Sequence, residues 1–172
     1  LQIIRALGPE ERFRIIDYSS DVATSGPAVN ATKESIEAAA ARLGELTAVG
    51  GTNINEALLE AVRPEPVDGT LPIVLFLTDG LPTVGVTAEK AIRDNILAAN
   101  AEPSRRLFTF GVGHDVNVPL LTDLARESRA VADFVAPGAD VEAAVGRVFD
   151  RLSGPVLADV SLAALSFVPV DM

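Results

Sequence analysis

Pro72-Ile73-Val74-Leu75-Phe76-Leu77-Thr78-Asp79-Gly80 runs apolar from Pro72 to Leu77 and then stops at a threonine, an aspartate and a glycine. An unbroken apolar run of this length lacks the alternation of a strand with one wet face. It reads as a strand covered on both faces, the habit of a parallel sheet held between helices. The stop matters as much as the run. In an open parallel sheet, ligands gather outside the carboxyl ends of the strands, so the spacing puts Asp79 on the edge where chemistry is expected.

Working outward, a second apolar strand spans 106–112 and ends at Gly113-His114-Asp115, and a third reads over 132–135. Helical periodicity separates them. Thr87 is positioned to cap a helix that runs to about Asn100 with Ile92, Ile96 and Leu97 inward, and 119–127 carries Leu120, Leu121 and Leu124 on one face. Asp140 caps a strongly periodic segment, Val141, Ala144, Val145, Val148, Phe149 and Leu152. Upstream, Arg12 to Tyr18 reads as one strand, Val22 to Val29 as a short edge strand, and Thr32 as the cap of a helix with Ile36, Ala39, Ala40, Leu43 and Leu46. Gly50-Gly51-Thr52 opens a further helix bearing Ala57, Leu58, Ala61 and Val62. Strands alternating with helices in this rhythm predict an α/β fold, a Rossmann-like, doubly wound, mostly parallel sheet. The pattern divides the chain into 1–152 and a following extended, β-rich region or linker over 153–172.

At 172 residues, with 48% hydrophobic and 22% charged residues, the chain is long enough for one domain with a real core. Its net charge of −10 disfavours nucleic acid, which is neutralised by clustered Lys and Arg. No apolar run approaches the roughly 20 residues of a membrane span. Without cysteine, disulfides and thiolate metal sites are excluded. Leu1 to Leu7 read as the end of an amphipathic helix stopped by Gly8-Pro9, which predicts sequence upstream of Leu1.

Two residues at the expected edge carry hard oxygen donors, the Thr52 hydroxyl and the Asp79 carboxylate, of the kind Mg²⁺, Mn²⁺ or Ca²⁺ takes. Each has a structural reading beside it. Thr52 would cap a helix starting at Asn53, and Asp79-Gly80 would be a strand-ending turn. His114, the single histidine, reads as a surface residue of a Gly-Asp loop. No Gly-x-Ser-x-Gly elbow or phosphate-binding Gly-x-x-x-x-Gly-Lys loop occurs, and Gly111-Val112-Gly113 lacks the third glycine of a dinucleotide fingerprint because Val116 stands there. No catalytic or cofactor-binding residue is assigned, and a Rossmann-like nucleotide-binding enzyme remains the alternative.

Gly50-Gly51-Thr52-Asn53-Ile54 and Leu77-Thr78-Asp79-Gly80-Leu81-Pro82-Thr83-Val84-Gly85 resemble two of the three metal-site segments of the von Willebrand factor type A family. Phe108 to Asn117 resembles the strand and loop that follow. Leu152-Ser153-Gly154-Pro155-Val156-Leu157-Ala158-Asp159-Val160, with the Pro-Thr-Val-Gly after the aspartate, resembles the inter-alpha-trypsin inhibitor heavy chain subgroup and its bacterial members. The resemblance implies a non-catalytic, divalent-metal-dependent protein-binding or adhesion module. In it Thr52 ligates the ion directly and Asp79 through water, and an acidic side chain of a protein partner completes the shell. It also implies an extracytoplasmic setting, periplasmic, surface or secreted. The family's first segment, Asp-x-Ser-x-Ser, has no match; Ser19-Ser20-Asp21 follows the second strand in the family order. The expectation is therefore a fragment whose first, central strand lies upstream, with an incomplete and weak metal site and poor folding in isolation. A purely structural domain without metal function is the other alternative.

Overall fold

The structure, a computed structural model, describes residues 2–47, 49–101 and 105–152. Three parallel strands form its centre: β5 (Ile73–Thr78), β6 (Arg106–Val112) and β7 (Ala132–Val135), in the order β5-β6-β7. Ile73 stands opposite Arg106 and Thr78 opposite Gly111, so β5 and β6 end together. The strands are preceded by α1 (Gln2–Ala6), β1 (Arg12–Phe13), β2 (Ile16–Tyr18), β3 (Val22–Thr24), β4 (Val29–Asn30), α2 (Lys33–Glu45) and α3 (Ile54–Val62). They are interleaved with α4 (Glu89–Ala99) and α5 (Val118–Glu127), and α6 (Val141–Leu152) follows.

Strand pleating splits the apolar residues between two layers. On one face Phe76 and Leu107 pack with Ile54 and Leu58 of α3, Ile92 and Ile96 of α4, and Leu121 and Leu124 of α5. On the other, Phe108 and Phe110 meet Val145 and Val148 of α6, with Ile3 and Leu75 against them. Helices on both faces of a parallel sheet make the α/β sandwich that the strand pattern predicts. At about 1.5–3 kcal/mol for each buried aliphatic or Phe side chain, these two clusters supply the main favourable contribution to folding.

Four local expectations need correction. β5 is only partly covered on its second face: among the described residues it is the edge of its sheet, and Ile73 and Leu77 are 36% and 40% exposed while Leu75 between them packs against the α6 cluster. The run Arg12 to Tyr18 is two strands, one pairing with β4 and the other with β3, both antiparallel. Between them Arg14 turns to the Glu60 carboxylate of α3 at 3.1 Å. The single edge strand expected over Val22 to Val29 is likewise two separate pieces, β3 and β4. Thr87 caps nothing: the N-cap of α4 is Ala88, which offers no side-chain hydrogen bond. Asp140 does cap α6, accepting from the Ala143 amide at 3.0 Å. The extended region expected over 153–172 lies outside the described residues.

Candidate functional site at the carboxyl edge of the sheet

The loop 50–53 reaches the end of β5 through its own backbone. Gly50 has a φ of +83°, which side-chain-bearing residues rarely adopt, and a Cβ there would sit 2.8 Å from Ser20 Oγ. Gly51 is needed for space: a Cβ would lie 2.5 Å from Val84 Cγ2 and 2.8 Å from Thr83 Oγ1. The Gly51 amide donates to Ser20 Oγ at 2.9 Å and the Asn53 amide to the Ser19 carbonyl at 2.8 Å. The loop is thus wedged between the β2–β3 turn on one side and the segment after Asp79 on the other.

Asn53, not Thr52, caps α3; its side-chain oxygen accepts from the Glu56 amide at 3.4 Å. The capping explanation for Thr52 therefore fails. Its backbone is fully engaged, the amide donating to Thr83 Oγ1 at 2.8 Å and the carbonyl accepting from the amides of Thr83 and Val84 at 3.0 and 3.3 Å. Its hydroxyl has no hydrogen bond to another described residue. That hydroxyl lies 3.5 Å from the point where a Cβ on Gly80, the residue after Asp79, would stand. Asp79 is exposed, and its carboxylate has no ion pair among the described residues.

Tyr18 anchors the same edge from below. Its ring stacks on Phe76 with centroids 5.5 Å apart, and its hydroxyl donates to the Leu77 carbonyl at 2.9 Å. Burial pushes the phenol up to about 12, the Thr78 hydroxyl pulls it down, and the nearby Asp79 charge adds to the rise.

Sequence reading named Thr52 and Asp79 and missed Ser20 and Thr83, whose hydroxyls accept from the Gly51 and Thr52 amides and hold the loop in place. The Thr52 hydroxyl and the Asp79 carboxylate are each oxygen donors of the kind a hard divalent cation takes. No three His, Asp or Glu side chains among the described residues form a carboxylate or imidazole cluster. His114 is exposed beyond β6 and stands in the following loop. Gly111 serves packing rather than a phosphate: a Cβ there would come within 2.8 Å of the Phe134 ring. The amino end of α5 is already closed by Asn117, whose side chain accepts from the Leu120 amide at 3.0 Å.

A family model described as von Willebrand factor type A domain matches residues 1–134. The chain belongs to the von Willebrand factor type A family. It is 30% identical over 171 residues to inter-alpha-trypsin inhibitor heavy chain H2 of Mesocricetus auratus, covering 92% of this chain and 18% of that protein. It is 32% identical to inter alpha-trypsin inhibitor, heavy chain 4 of Mus musculus, covering 94% and 18%. The chain therefore spans under a fifth of the length of these curated relatives. Among solved structures, the von Willebrand factor type A protein from Catenulispora acidiphila superposes with a TM-score of 0.69 at 18% identity, over 87% of this chain and 34% of that one, a likeness of fold. Type A domains are protein-interaction modules, and no helix among the described residues of this one is long and apolar enough to cross a membrane.

Proposed function

We propose that this type A domain is a non-catalytic adhesion module that binds a protein partner through a divalent cation, Mg²⁺, Mn²⁺ or Ca²⁺, held with the help of Thr52 and Asp79. The observation that supports it is the Thr52 hydroxyl, free of any capping duty and set close to Gly80, the residue after Asp79. When bound, the ion supplies an electrophilic point that an acidic side chain of the partner can ligate. One neutral hydroxyl and one carboxylate neutralise little of its charge, so attraction for an incoming carboxylate stays high. Two protein donors leave most of an octahedral shell to water and other segments, and affinity from these two alone is low. The partner is a protein with an exposed Asp or Glu, and the setting is extracytoplasmic, in keeping with the heavy-chain relatives. The domain's net charge of −10 speaks against nucleic acid as a partner.

The test is thermal unfolding of the full-length protein with EDTA and then with excess Mg²⁺ or Mn²⁺. Metal saturating the site a hundredfold above its Kd stabilises by about 2.7 kcal/mol, a rise of several degrees. Asp79→Ala is expected to abolish that rise and to remove EDTA-sensitive partner binding. No metal-dependent shift, with partner binding intact in Asp79→Ala, would sink the reading and leave a purely structural domain.

A further inference from the structure

Thr52 is fixed by a neighbour 31 positions away in sequence. The Thr83 hydroxyl accepts from the Thr52 amide at 2.8 Å while the Thr83 amide donates to the Thr52 carbonyl at 3.0 Å, and the Val84 amide donates to the same carbonyl at 3.3 Å. One residue thus has both backbone polar groups gripped by the segment that begins with Asp79. Thr83 Oγ1 also stands where a side chain on Gly51 would have to go, so the two loops leave no slack between them. The grip on the amide comes from a side chain, which makes it specific to a hydroxyl-bearing residue at position 83. A different residue there leaves the Thr52 amide without its acceptor.

We infer that Thr83 is a positioning residue: its reciprocal hydrogen bonds with Thr52 couple loop 50–53 to loop 79–84 and fix the separation between the Thr52 hydroxyl and Asp79. This rests on the proposed cation site for its purpose, and on geometry alone for the coupling. Pre-set spacing matters most for a small ion with strict coordination distances, because a loop that wanders must be ordered at every binding event. Thr83 itself is not a ligand in this account. It acts through Thr52.

The experiment compares wild type, Thr83→Val, Thr83→Ser and Asp79→Ala in the full-length protein, with amide hydrogen exchange followed without metal and Mn²⁺ affinity by calorimetry. Thr83→Val keeps shape and loses the hydroxyl; Thr83→Ser keeps the hydroxyl. Expected are at least tenfold faster exchange at the Thr52 amide in Thr83→Val, a five- to tenfold weaker Mn²⁺ affinity, and return of both to within about twofold of wild type in Thr83→Ser. Exchange at core amides such as those of β6 stays unchanged, which separates local release from general loosening. Unaltered Thr52 exchange in Thr83→Val, or full Mn²⁺ affinity despite faster exchange, would overturn the inference. Wild type that binds no Mn²⁺ refutes the cation reading and with it the purpose assigned to Thr83, while the exchange data still decide the coupling.

Discussion

Gly51 sets the tightest constraint at the residue scale, because a Cβ there would meet both Val84 Cγ2 and Thr83 Oγ1 inside 3 Å. Gly51→Ala would force Val84 Cγ2 away from a 2.5 Å encounter, and overpacking of this kind typically costs about 1–3 kcal/mol. Urea denaturation is expected to show that loss, and Gly51→Ala combined with Val84→Ala should regain part of it. An unchanged midpoint in the single variant would mean that the two loops do not meet as described. The neighbouring Thr52 shows how much at this scale was readable from sequence. A Gly-Gly-Thr followed by a helix announces both a cap and a donor, and only the position of Asn53 over the Glu56 amide separates the two roles. The contribution of Ser20 and Thr83 was not legible, since each acts across 31 or more residues through a single hydroxyl with no local periodicity to mark it.

Elements follow the same division. The helix α6 was legible whole, because Asp140 and the apolar positions Val141, Val145 and Val148 are local signals that tertiary packing reinforces. The start of α4 was not, since Thr87 has the chemistry of a cap and Ala88 holds the place. Strand β5 was legible as a strand but not as an edge, because its apolar run reports composition and not which neighbours pair with it. Its exposed Leu77 and Ile73, on a strand that has no second partner strand among the described residues, form a surface for association. The 172-residue chain is expected to self-associate with rising concentration, and Leu77→Lys to shift sedimentation towards monomer. Stability should change by no more than about 0.5 kcal/mol, as at other exposed positions. Equal association by wild type and variant would place the sticky surface elsewhere.

Across the whole molecule, two bodies of secondary structure have to be joined: the small antiparallel ladder of β2 and β3, and the parallel sheet between its helices. Tyr18 makes that junction by stacking on Phe76 and donating to Leu77. Its phenol is raised to about 12 in the fold against an ordinary value of 10.0. The unfolded chain therefore releases this proton first as pH climbs. The stabilisation is fully present below about pH 10 and is lost between there and about pH 12, a decline on the order of 2 kcal/mol from this group. Tyr18→Phe keeps the ring and removes the titration. Its stability is expected to fall less steeply over that window, measured as denaturation midpoints against pH beside wild type; parallel curves would refute the assignment.

That junction has an optical consequence. The protein contains one tyrosine and no tryptophan, so its near-ultraviolet emission arises from the ring wedged between the ladder and the first strand of the sheet. The neighbouring Asp79 carboxylate lies within electrostatic reach of the same hydroxyl. A single tyrosine thus stands next to Asp79 at the carboxyl edge of the sheet, and its brightness and lifetime are expected to report changes at that edge without any label.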